Sequence, residues 1–289
     1  MVIPEPQPSG RDPLSSETKI GTILDRIVEA RRAAVEHRKR VLPEAAARLG
    51  AKNATPVRGF WAALGRPSIN VIAELKKASP SRGVIRKDFE PTLLARELES
   101  AGAAALSVLT EEEFFQGSLK HLRESRKAVK LPVLRKDFIF DPWQVWEARA
   151  NDADSFLLIV AILSDPLLAD LLRLGRELGM EPLVEAHTRE ELVRAVDAGA
   201  KIIGVNNRNL KTLDVRVETS YELIEMIPNE CIAVCESGLS TNDDLRELRA
   251  AGFDAFLIGE HLMQSPNPDA ALRVLLGEPE MSGADSVQA

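Results

Sequence analysis

Short apolar runs rich in β-branched residues alternate with amphipathic helical segments along most of this chain. The runs predict eight strands, which are Asn70 to Leu75, Ala104 to Leu109, Pro132 to Lys136, Ser155 to Ile159, Glu181 to Glu185, Ile202 to Asn206, Ile232 to Cys235 and Ala255 to Gly259. Each run is followed by a helical stretch. Parallel strands joined by right-handed helical crossovers explain this alternation, and the count of eight favours an α/β chain closed into a (β/α)8 TIM barrel.

A doubly wound open sheet is the alternative architecture for such an alternation. Open sheets of this kind usually carry a glycine-rich nucleotide-binding turn after the first strand. Here the corresponding turn is Ser79-Pro80-Ser81. The barrel is therefore the favoured fold.

Helix boundaries are marked by capping residues. Helix starts are predicted at Asp141-Pro142, Asp165-Pro166, Asn267-Pro268, Thr188-x-x-Glu191 and Thr241-x-x-Asp244. Helix ends are predicted at Ala101-Gly102, Ala198-Gly199 and Ala251-Gly252, because glycine accepts the left-handed backbone that closes a helix. These signals fall between the predicted strands, as the barrel requires.

The chain is predicted to hold one barrel domain, residues 20 to 277, between two polar tails. Residues 1–19 and 278–289 lack apolar periodicity, and we expect both to be disordered. The domain includes a helical extension over residues 20–66, in which Thr22 and Asp25 could cap a helix with apolar positions such as Ile23 and Ile27. We expect this helix to pack on one mouth of the barrel.

Charged and polar residues, with one glycine, stand at the predicted C-terminal ends of the strands, where barrels of this type carry their active sites. They are Glu74, Lys76, Lys136, Asp137, Glu185, Asn206, Glu236, Ser237, Gly259 and Glu260. Glu74 and Lys76, two positions apart, project from the same face of one strand. Each residue alone could be a surface ion pair or a turn residue, but their convergence indicates a site. Lysines among carboxylates suit proton transfer, because each charge shifts its neighbours' pKa values.

Two small motifs suggest a phosphorylated substrate. Ser237-Gly238 and Gly259-Glu260 lie in the predicted loops after strands seven and eight. This is the usual phosphate position in such barrels, where backbone N–H groups and a short helix N-terminus hold the anion. The substrate is expected to be a phosphate ester.

Seven strings make the pattern specific: IAELKKASPS, LSVLTEEEFFQGS, LRKDFI, EPLVEAH, IGVNNRNL, CESGLS and FLIGEHLM. In this order and spacing the chain resembles the indole-3-glycerol-phosphate synthase family of tryptophan biosynthesis over roughly residues 20 to 276. The family closes the indole ring of 1-(2-carboxyphenylamino)-1-deoxyribulose 5-phosphate with loss of carbon dioxide and water. The resemblance therefore implies a carboxy-lyase.

The resemblance also implies roles for individual residues. Lys136 matches the acid that protonates the C2′ carbonyl oxygen, and Glu185 and Glu74 match carboxylates that stabilise the cation then formed in the ring system. The final dehydration needs one acid and one base. Lys76, Glu74 and Glu185 are the candidates, and the sequence leaves the division open.

Other matching positions imply substrate contacts. Asn206 resembles the residue that bonds the sugar hydroxyls, while Arg208 and Ser79 lie near the expected anthranilate carboxylate. The apolar slot for the aryl ring corresponds to Phe115, Phe138, Leu157 and Leu210. Substrate contact is also expected from Ser237, and phosphate contact from Gly238, Gly259 and Glu260.

Two hypotheses concern the rim of this site. Many family members carry Ser where this chain has Glu260, and a carboxylate aimed at a phosphate would repel it. We expect only the Glu260 backbone N–H to face the anion, with the side chain turned to solvent, so that Glu260→Ser leaves KM nearly unchanged. The loop from Lys77 to Gly83 is expected to close over the substrate as a lid.

Bulk properties limit the partners. The net charge of −7 argues against a nucleic-acid or anionic-membrane surface, and the longest apolar stretch, Phe156 to Leu163, is far too short to span a bilayer. The N-terminus lacks signal-peptide features, so a cytoplasmic protein is expected. The scattered histidines form no metal-ligand pair, no cofactor fingerprint occurs, and we expect a monomer or a weak homo-oligomer.

Two rival functions remain at this point. A phosphoribosylanthranilate isomerase-like barrel would bind similar chemical features, but that family uses a cysteine base near its first strand, where this chain has Glu74 and Lys76. A non-catalytic barrel that only binds a phosphorylated metabolite is the other. A barrel that has lost catalysis usually loses its charged site residues first. Every charged residue expected of the synthase is present in this chain.

Overall fold

Eight parallel strands form the centre of the computed structural model, which describes residues 22–210 and 212–279. They are β1 (Asn70–Leu75), β2 (Ala105–Leu109), β3 (Val133–Lys136), β4 (Ser155–Ile159), β5 (Leu183–Ala186), β6 (Ile202–Asn206), β7 (Ile232–Glu236) and β8 (Ala255–Ile258). Each strand pairs with its neighbours in the chain, and β1 also pairs with β8. The predicted closed (β/α)8 barrel is confirmed.

The strand boundaries agree with the predicted ones to within two residues. The largest difference is in β5, which begins at Leu183 rather than at Glu181. Pro182 explains the difference, since it has no N–H to donate to a strand ladder.

Helices surround the barrel and also precede it. They are α1 (Ile23–Val41), α2 (Glu44–Lys52), α3 (Phe60–Leu64), α4 (Pro91–Ser100), α5 (Leu119–Ala128), α6 (Pro142–Ala150), α7 (Asp165–Glu177), α8 (Arg189–Asp197), α9 (Glu218–Leu223), α10 (Asn242–Ala251), α11 (Glu260–Gln264) and α12 (Pro268–Leu275). Short 3-10 turns cover Val160–Ile162 and Ile224–Met226. A small antiparallel hairpin pairs Ala78–Ser79 with Gly83–Val84 in the loop after β1.

Most predicted caps hold their helix ends. Thr22 and Thr241 form full capping boxes with Asp25 and Asp244. Thr188 accepts the backbone N–H of Glu191, but the Glu191 carboxylate bonds the His187 N–H instead of Thr188. Helix α7 starts one residue early, with Ser164 at the cap position.

Alternation along the strands places one set of side chains inside the barrel. The interior apolar cluster includes Ile72, Leu134, Leu183, Ile202 and Val234. Two residues further along their strands stand Glu74, Lys136, Glu185, Gly204 and Glu236. Because side chains two apart share a face, the same alternation that fills the core carries the charged residues into the C-terminal mouth.

Both ends of the barrel are covered by the segment that precedes it. Phe60 and Leu64 of α3 join the interior cluster at the N-terminal end, where the Asn70 side chain donates a hydrogen bond to the Leu64 carbonyl at 2.7 Å. Residues Ile23, Leu24 and Ile27 of α1 line a cavity at the opposite mouth. The expected packing of the extension on a barrel mouth is confirmed.

Buried charges also attach α1 to the barrel. Arg31 donates a hydrogen bond to Asp137 at 2.6 Å, and Arg135 donates to the same oxygen at 2.9 Å. All three side chains are buried. Burial alone would raise the pKa of Asp137, but the charges of Arg31 and Arg135 hold it below its ordinary value. Asp137 is therefore an anchor for α1, directly beside Lys136.

Two further sequence predictions concern the chain as a whole. No helix within residues 22–210 and 212–279 is long and apolar enough to cross a membrane. The disordered tails were predicted over residues 1–19 and 278–289. These lie outside the described residues, apart from Glu278 and Pro279.

Candidate active site

A cavity of about 620 Å³ opens at the C-terminal ends of the strands. All but one of the predicted site residues line it, namely Glu74, Lys76, Phe115, Lys136, Phe138, Leu157, Glu185, Asn206, Arg208, Leu210, Ser237, Gly238, Gly259 and Glu260. The exception is Ser79, which lines an adjoining cavity of about 90 Å³ together with Lys76, Arg208 and Leu210. The strand-end positions thus converge in space as expected.

Lys136 lies at the base of this cavity between two carboxylates. Its Nζ is 3.0 Å from Glu185 Oε2 and 3.5 Å from Glu236 Oε2. Burial would lower the pKa of Lys136, but the charges of Glu185, Glu236 and Glu74 outweigh it and raise the pKa above its ordinary value. The ammonium is therefore protonated at neutral pH and can donate a proton to a substrate that displaces its partners.

Glu185 is ionised because cations lie beside both of its oxygens. Oε2 faces Lys136, and Oε1 lies 3.3 Å from His187 Nε2. Burial would raise the pKa of Glu185, but Lys136 and then His187 lower it well below the ordinary carboxyl range. A carboxylate of this kind acts through its charge rather than by exchanging a proton.

Glu236, at the end of β7, has the opposite protonation behaviour. It is 1% exposed, and its Oε1 has no hydrogen-bond partner among the described residues. Burial raises its pKa to about 8, with Glu185 adding to the effect and Lys136 opposing it. The pocket thus holds one ionised and one protonated carboxyl beside the same lysine. The ionised carboxylate can stabilise a positive charge, and the protonated carboxyl can donate a proton.

The sequence pattern places Glu236 at a strand end but indicates no role for it. Its space depends on Gly204 of β6, because a Cβ at that position would clash with Glu236 Oε1. The signal that could have found it is the alternation Ile232, Val234, Glu236, which continues the interior face of β7. The protonation state of Glu236 depends on its burial, which the neighbouring residues in the sequence do not indicate.

Glu236→Gln is expected to stabilise the protein by an amount that grows from about pH 5 to about pH 8. The Glu236 pKa is about 8 in the folded chain and about 4.3 in an unfolded one. Folding therefore takes up a proton in this range, and this group makes stability fall as pH rises. Thermal melts of both proteins across the range would show the Tm difference widening with pH. A difference independent of pH would contradict the assignment.

Glu74 and Lys76 form an ion pair of 2.8 Å at the end of β1. The Glu74 side chain is 5% exposed and that of Lys76 is 15% exposed, so the pair is not a surface contact. A Cβ on Gly259 would clash with the Glu74 carboxylate. The absence of a side chain at Gly259 therefore makes room for the Glu74 carboxylate. This role of Gly259 does not depend on the phosphate contact predicted for it.

The ends of β6 and β7 are joined through Asn206. Its Oδ1 accepts hydrogen bonds from the Arg208 backbone N–H at 3.0 Å and from Ser237 Oγ at 2.9 Å. Ser237 and Gly238 both have positive φ, of 70° and 83°. A non-glycine residue in this strained conformation is typical of functional loops.

The four apolar residues predicted to hold an aryl ring lie together in the wall of the pocket. The rings of Phe115 and Phe138 lie with centroids 6.1 Å apart. Leu157 and Leu210 belong to the same cluster. Phe115 is positioned by the buried Glu111, whose carboxylate accepts its backbone N–H at 3.0 Å.

The Glu260 side chain departs from the sequence hypothesis. It does not turn to solvent, because its oxygens pair with Arg82 at 2.8 Å and with Arg208 at 3.2 Å. Arg82 belongs to the turn of the hairpin after β1. Two cations attract the carboxylate inward, so the expectation of a solvent-facing Glu260 is wrong. Residues near Glu260 in the chain carry no sign of these contacts, since Arg82 lies 178 residues away.

No group of three or more His, Cys, Asp or Glu side chains suited to a metal ion occurs in the described part of the chain. The closed barrel, with lysines and carboxylates gathered at the C-terminal ends of its strands, defines a (β/α)8-barrel enzyme.

The family model for indole-3-glycerol phosphate synthase matches residues 24–275. The chain belongs to the indole-3-glycerol phosphate synthase family. It is 52% identical over 223 residues to the synthase of Koribacter versatilis, covering 76% of this chain and 86% of that protein. It is 49% identical over 266 residues to the synthase of Roseiflexus sp., covering 89% and 98%.

Solved structures of lower similarity share the fold. The 3-hexulose-6-phosphate synthase of Salmonella typhimurium superposes with a TM-score of 0.59 at 10% identity, covering 72% of this chain and 97% of that chain. The thiamine phosphate pyrophosphorylase of Pyrococcus furiosus gives a TM-score of 0.55 at 16% identity, covering 72% and 93%. These likenesses concern the barrel alone.

Proposed function

We propose that this protein catalyses the decarboxylating and dehydrating ring closure of 1-(2-carboxyphenylamino)-1-deoxyribulose 5-phosphate to indole-3-glycerol phosphate, a step of tryptophan biosynthesis, in the cytoplasm. The observation that carries the proposal is the partly buried Lys136 between Glu185 and Glu236 at the base of the cavity. The family membership supports the choice of substrate. The proposal includes no metal and no organic cofactor.

In the first step Lys136 acts as the acid. The aryl carbon that bears the carboxylate attacks C2′ of the sugar chain, and the carbonyl oxygen takes a proton from the Lys136 ammonium to become a hydroxyl. The ring system then carries a positive charge. Loss of carbon dioxide leaves its bonding electrons in the ring and restores aromaticity. Protonation of the oxygen during attack is the contribution of a general acid.

Glu185 stabilises the cation that exists between attack and decarboxylation. Its carboxylate is buried at 1% exposure, so its field acts with little screening by water. Lys136 becomes neutral when it gives up its proton. The negative charge of Glu185 is then less compensated just as the substrate becomes positive. Ring closure with loss of carbon dioxide and water consumes one proton overall, and Lys136 takes this proton from solvent before the next turnover.

The Glu74–Lys76 pair is proposed to carry out the dehydration. The new hydroxyl leaves as water with a proton from Lys76, and Glu74 takes the proton from C1′, so that the carbon–carbon double bond of the indole forms. The 2.8 Å contact lets the proton return from Glu74 to Lys76 after each turnover. Glu185 is a weaker base for this step, because the charges of Lys136 and His187 lower its affinity for a proton.

The remaining pocket residues are proposed to hold the substrate. Backbone N–H groups of Gly238, Gly259 and Glu260 face the phosphate, and Arg208 with Ser79 faces the anthranilate carboxylate. Asn206 bonds the sugar hydroxyls, and Ser237 supports it at 2.9 Å. The aryl ring occupies the slot formed by Phe115, Phe138, Leu157 and Leu210.

Glu260→Gln is expected to loosen the hairpin after β1. Arg82 and Arg208 lose an anionic partner, and exposed ion pairs contribute about 0.2 to 1 kcal/mol, so hydrogen exchange of residues 77–84 should speed up by roughly 1.4- to fivefold. Mass spectrometry of peptides from the hairpin measures this rate. Glu177→Gln, which removes a surface partner of Arg173, is the matched control. Equal hairpin rates in both variants would show that the pairs do not hold the loop.

Product analysis tests the function itself. The purified protein is incubated with the anthranilate-ribulose phosphate, and indole fluorescence and substrate mass are followed together. A synthase gives fluorescence and loss of carbon dioxide and water. An isomerase of the phosphoribosylanthranilate type would instead interconvert compounds of equal mass, and a non-catalytic barrel would change neither signal. Absence of the indole product would overturn the proposal.

A further inference from the structure

His187 lies directly behind the base of the cavity, in the turn between β5 and α8. It is not among the residues that line the cavity, and its side chain is 9% exposed. Its ring stands between two carboxylates. Nε2 lies 3.3 Å from Glu185 Oε1, and Nδ1 lies 3.1 Å from Glu191 Oε2.

Glu191 is fixed in place independently of the ring. Its Oε2 accepts the backbone N–H of His187 at 2.7 Å, and its own N–H donates to Thr188 Oγ1 at 3.2 Å. The first turn of α8 therefore holds this carboxylate against Nδ1. The ring in turn is directed so that its other nitrogen faces Glu185.

Carboxylates on both sides of the ring favour two ring protons. Nδ1 hydrogen-bonds Glu191, whereas the 3.3 Å contact of Nε2 with Glu185 is an ion-pair distance without hydrogen-bond alignment. A neutral imidazole has a single N–H and would turn one lone pair toward a carboxylate, whereas an imidazolium carries a proton on both nitrogens. The charged groups around the ring are Glu185 on β5, Glu191 on α8 and, beyond Glu185, Lys136 on β3. The neighbouring turn Val160–Ile162 is apolar. Burial would lower the pKa of His187, but Glu185 and Glu191 outweigh it and raise the pKa to about 9.

We infer that His187 is a positioning residue: a cation, maintained at neutral pH, that holds Glu185 ionised and turned toward Lys136. The inference rests on the proposed function, since it assigns a support to the carboxylate that stabilises the cationic intermediate. With His187 beside Oε1 and Lys136 beside Oε2, positive charge on both sides lowers the affinity of Glu185 for a proton. The Lys136 proton therefore goes to the substrate carbonyl rather than to Glu185.

The direct test is the protonation state of His187 in the intact, ligand-free protein. Nitrogen NMR of the assigned imidazole is expected to show both ring nitrogens protonated at pH 7.5, with deprotonation only near pH 9. The exposed ring of His37 serves as the internal reference in the same spectra. A neutral His187 ring at pH 7.5 would overturn the inference.

The catalytic test compares His187→Gln with His37→Gln. Gln can donate one hydrogen bond but carries no charge, so Glu185 should lose its fixed orientation and titrate at higher pH. We expect kcat of His187→Gln to fall by about 10- to 100-fold with KM changed less than about twofold, since small misplacements cost this much. The acidic limb of its kcat profile should also move to higher pH. An unshifted limb would show that His187 is only a packing residue.

The two tests also separate this inference from the proposed function. Wild-type protein that forms no indole product refutes the proposed function. Wild-type protein that forms the product while His187 is neutral refutes only the inference. The NMR measurement uses wild-type protein, so it decides the question even if His187→Gln does not fold.

Discussion

Lys136→Met is expected to lower kcat/KM for ring closure by roughly 10³-fold, because it removes the acid that activates the C2′ carbonyl. Met has a similar length and no proton to give. The loss should appear in kcat, since the substrate is held mainly by the phosphate and aryl contacts. Steady-state rates of indole formation measure the effect.

Lys127→Met is the matched control for this variant. Lys127 is exposed on α5, outside the cavity, so its loss should leave the rate within about twofold of wild type. Full activity of Lys136→Met would remove Lys136 from the role of acid. A rise in KM alone would instead make it a binding residue.

Glu185→Gln is expected to reduce kcat by roughly 10²- to 10³-fold, because a neutral amide cannot stabilise the cationic intermediate. It also leaves Lys136 and His187 facing a group without charge. Both are largely buried, and removal of one partner from a buried ion pair costs about 3 to 5 kcal/mol. Tm should therefore fall together with kcat, and the two are measured separately on the same preparation.

Glu177→Gln is the matched control for Glu185→Gln. It also replaces a carboxylate by an amide, but at a position outside the cavity. Glu177 pairs with Arg173 on the surface, where the side chains are 55% and 63% exposed. Its loss should change neither Tm nor kcat appreciably. Unchanged kcat in Glu185→Gln, with only Tm lowered, would assign Glu185 a structural role.

Much of the barrel follows from local pattern. The run from Ile202 to Asn206 is a strand because its residues are apolar or small, and glycine at 199 closes the helix before it with a φ of 79°. Strand alternation then places Lys136 and Glu185 inside the mouth. The positions of residues that are set by strand alternation were therefore predictable from the sequence. Their convergence in one cavity follows from closure of the barrel.

The contacts that set protonation depend on distant parts of the chain. Glu185 meets Lys136 across 49 residues, Arg31 reaches Asp137 across 106, and Glu260 meets Arg82 across 178. Local sequence carries no sign of such pairs, so the ionised Glu185, the protonated Glu236 and the inward Glu260 emerged only from the packed structure. The reaction itself came from the family resemblance, since the residues alone indicated proton transfer on a phosphate ester.

The structure of Lys136→Met with the anthranilate-ribulose phosphate bound would test the account most directly, because the substrate should bind without turning over. We expect the phosphate against the backbone N–H groups of Gly238 and Gly259, the aryl ring between Phe115 and Leu157, and the C2′ carbonyl oxygen within about 3 Å of the position that the Lys136 ammonium occupies. A substrate bound with its carbonyl directed away from residue 136 would contradict the proposed mechanism.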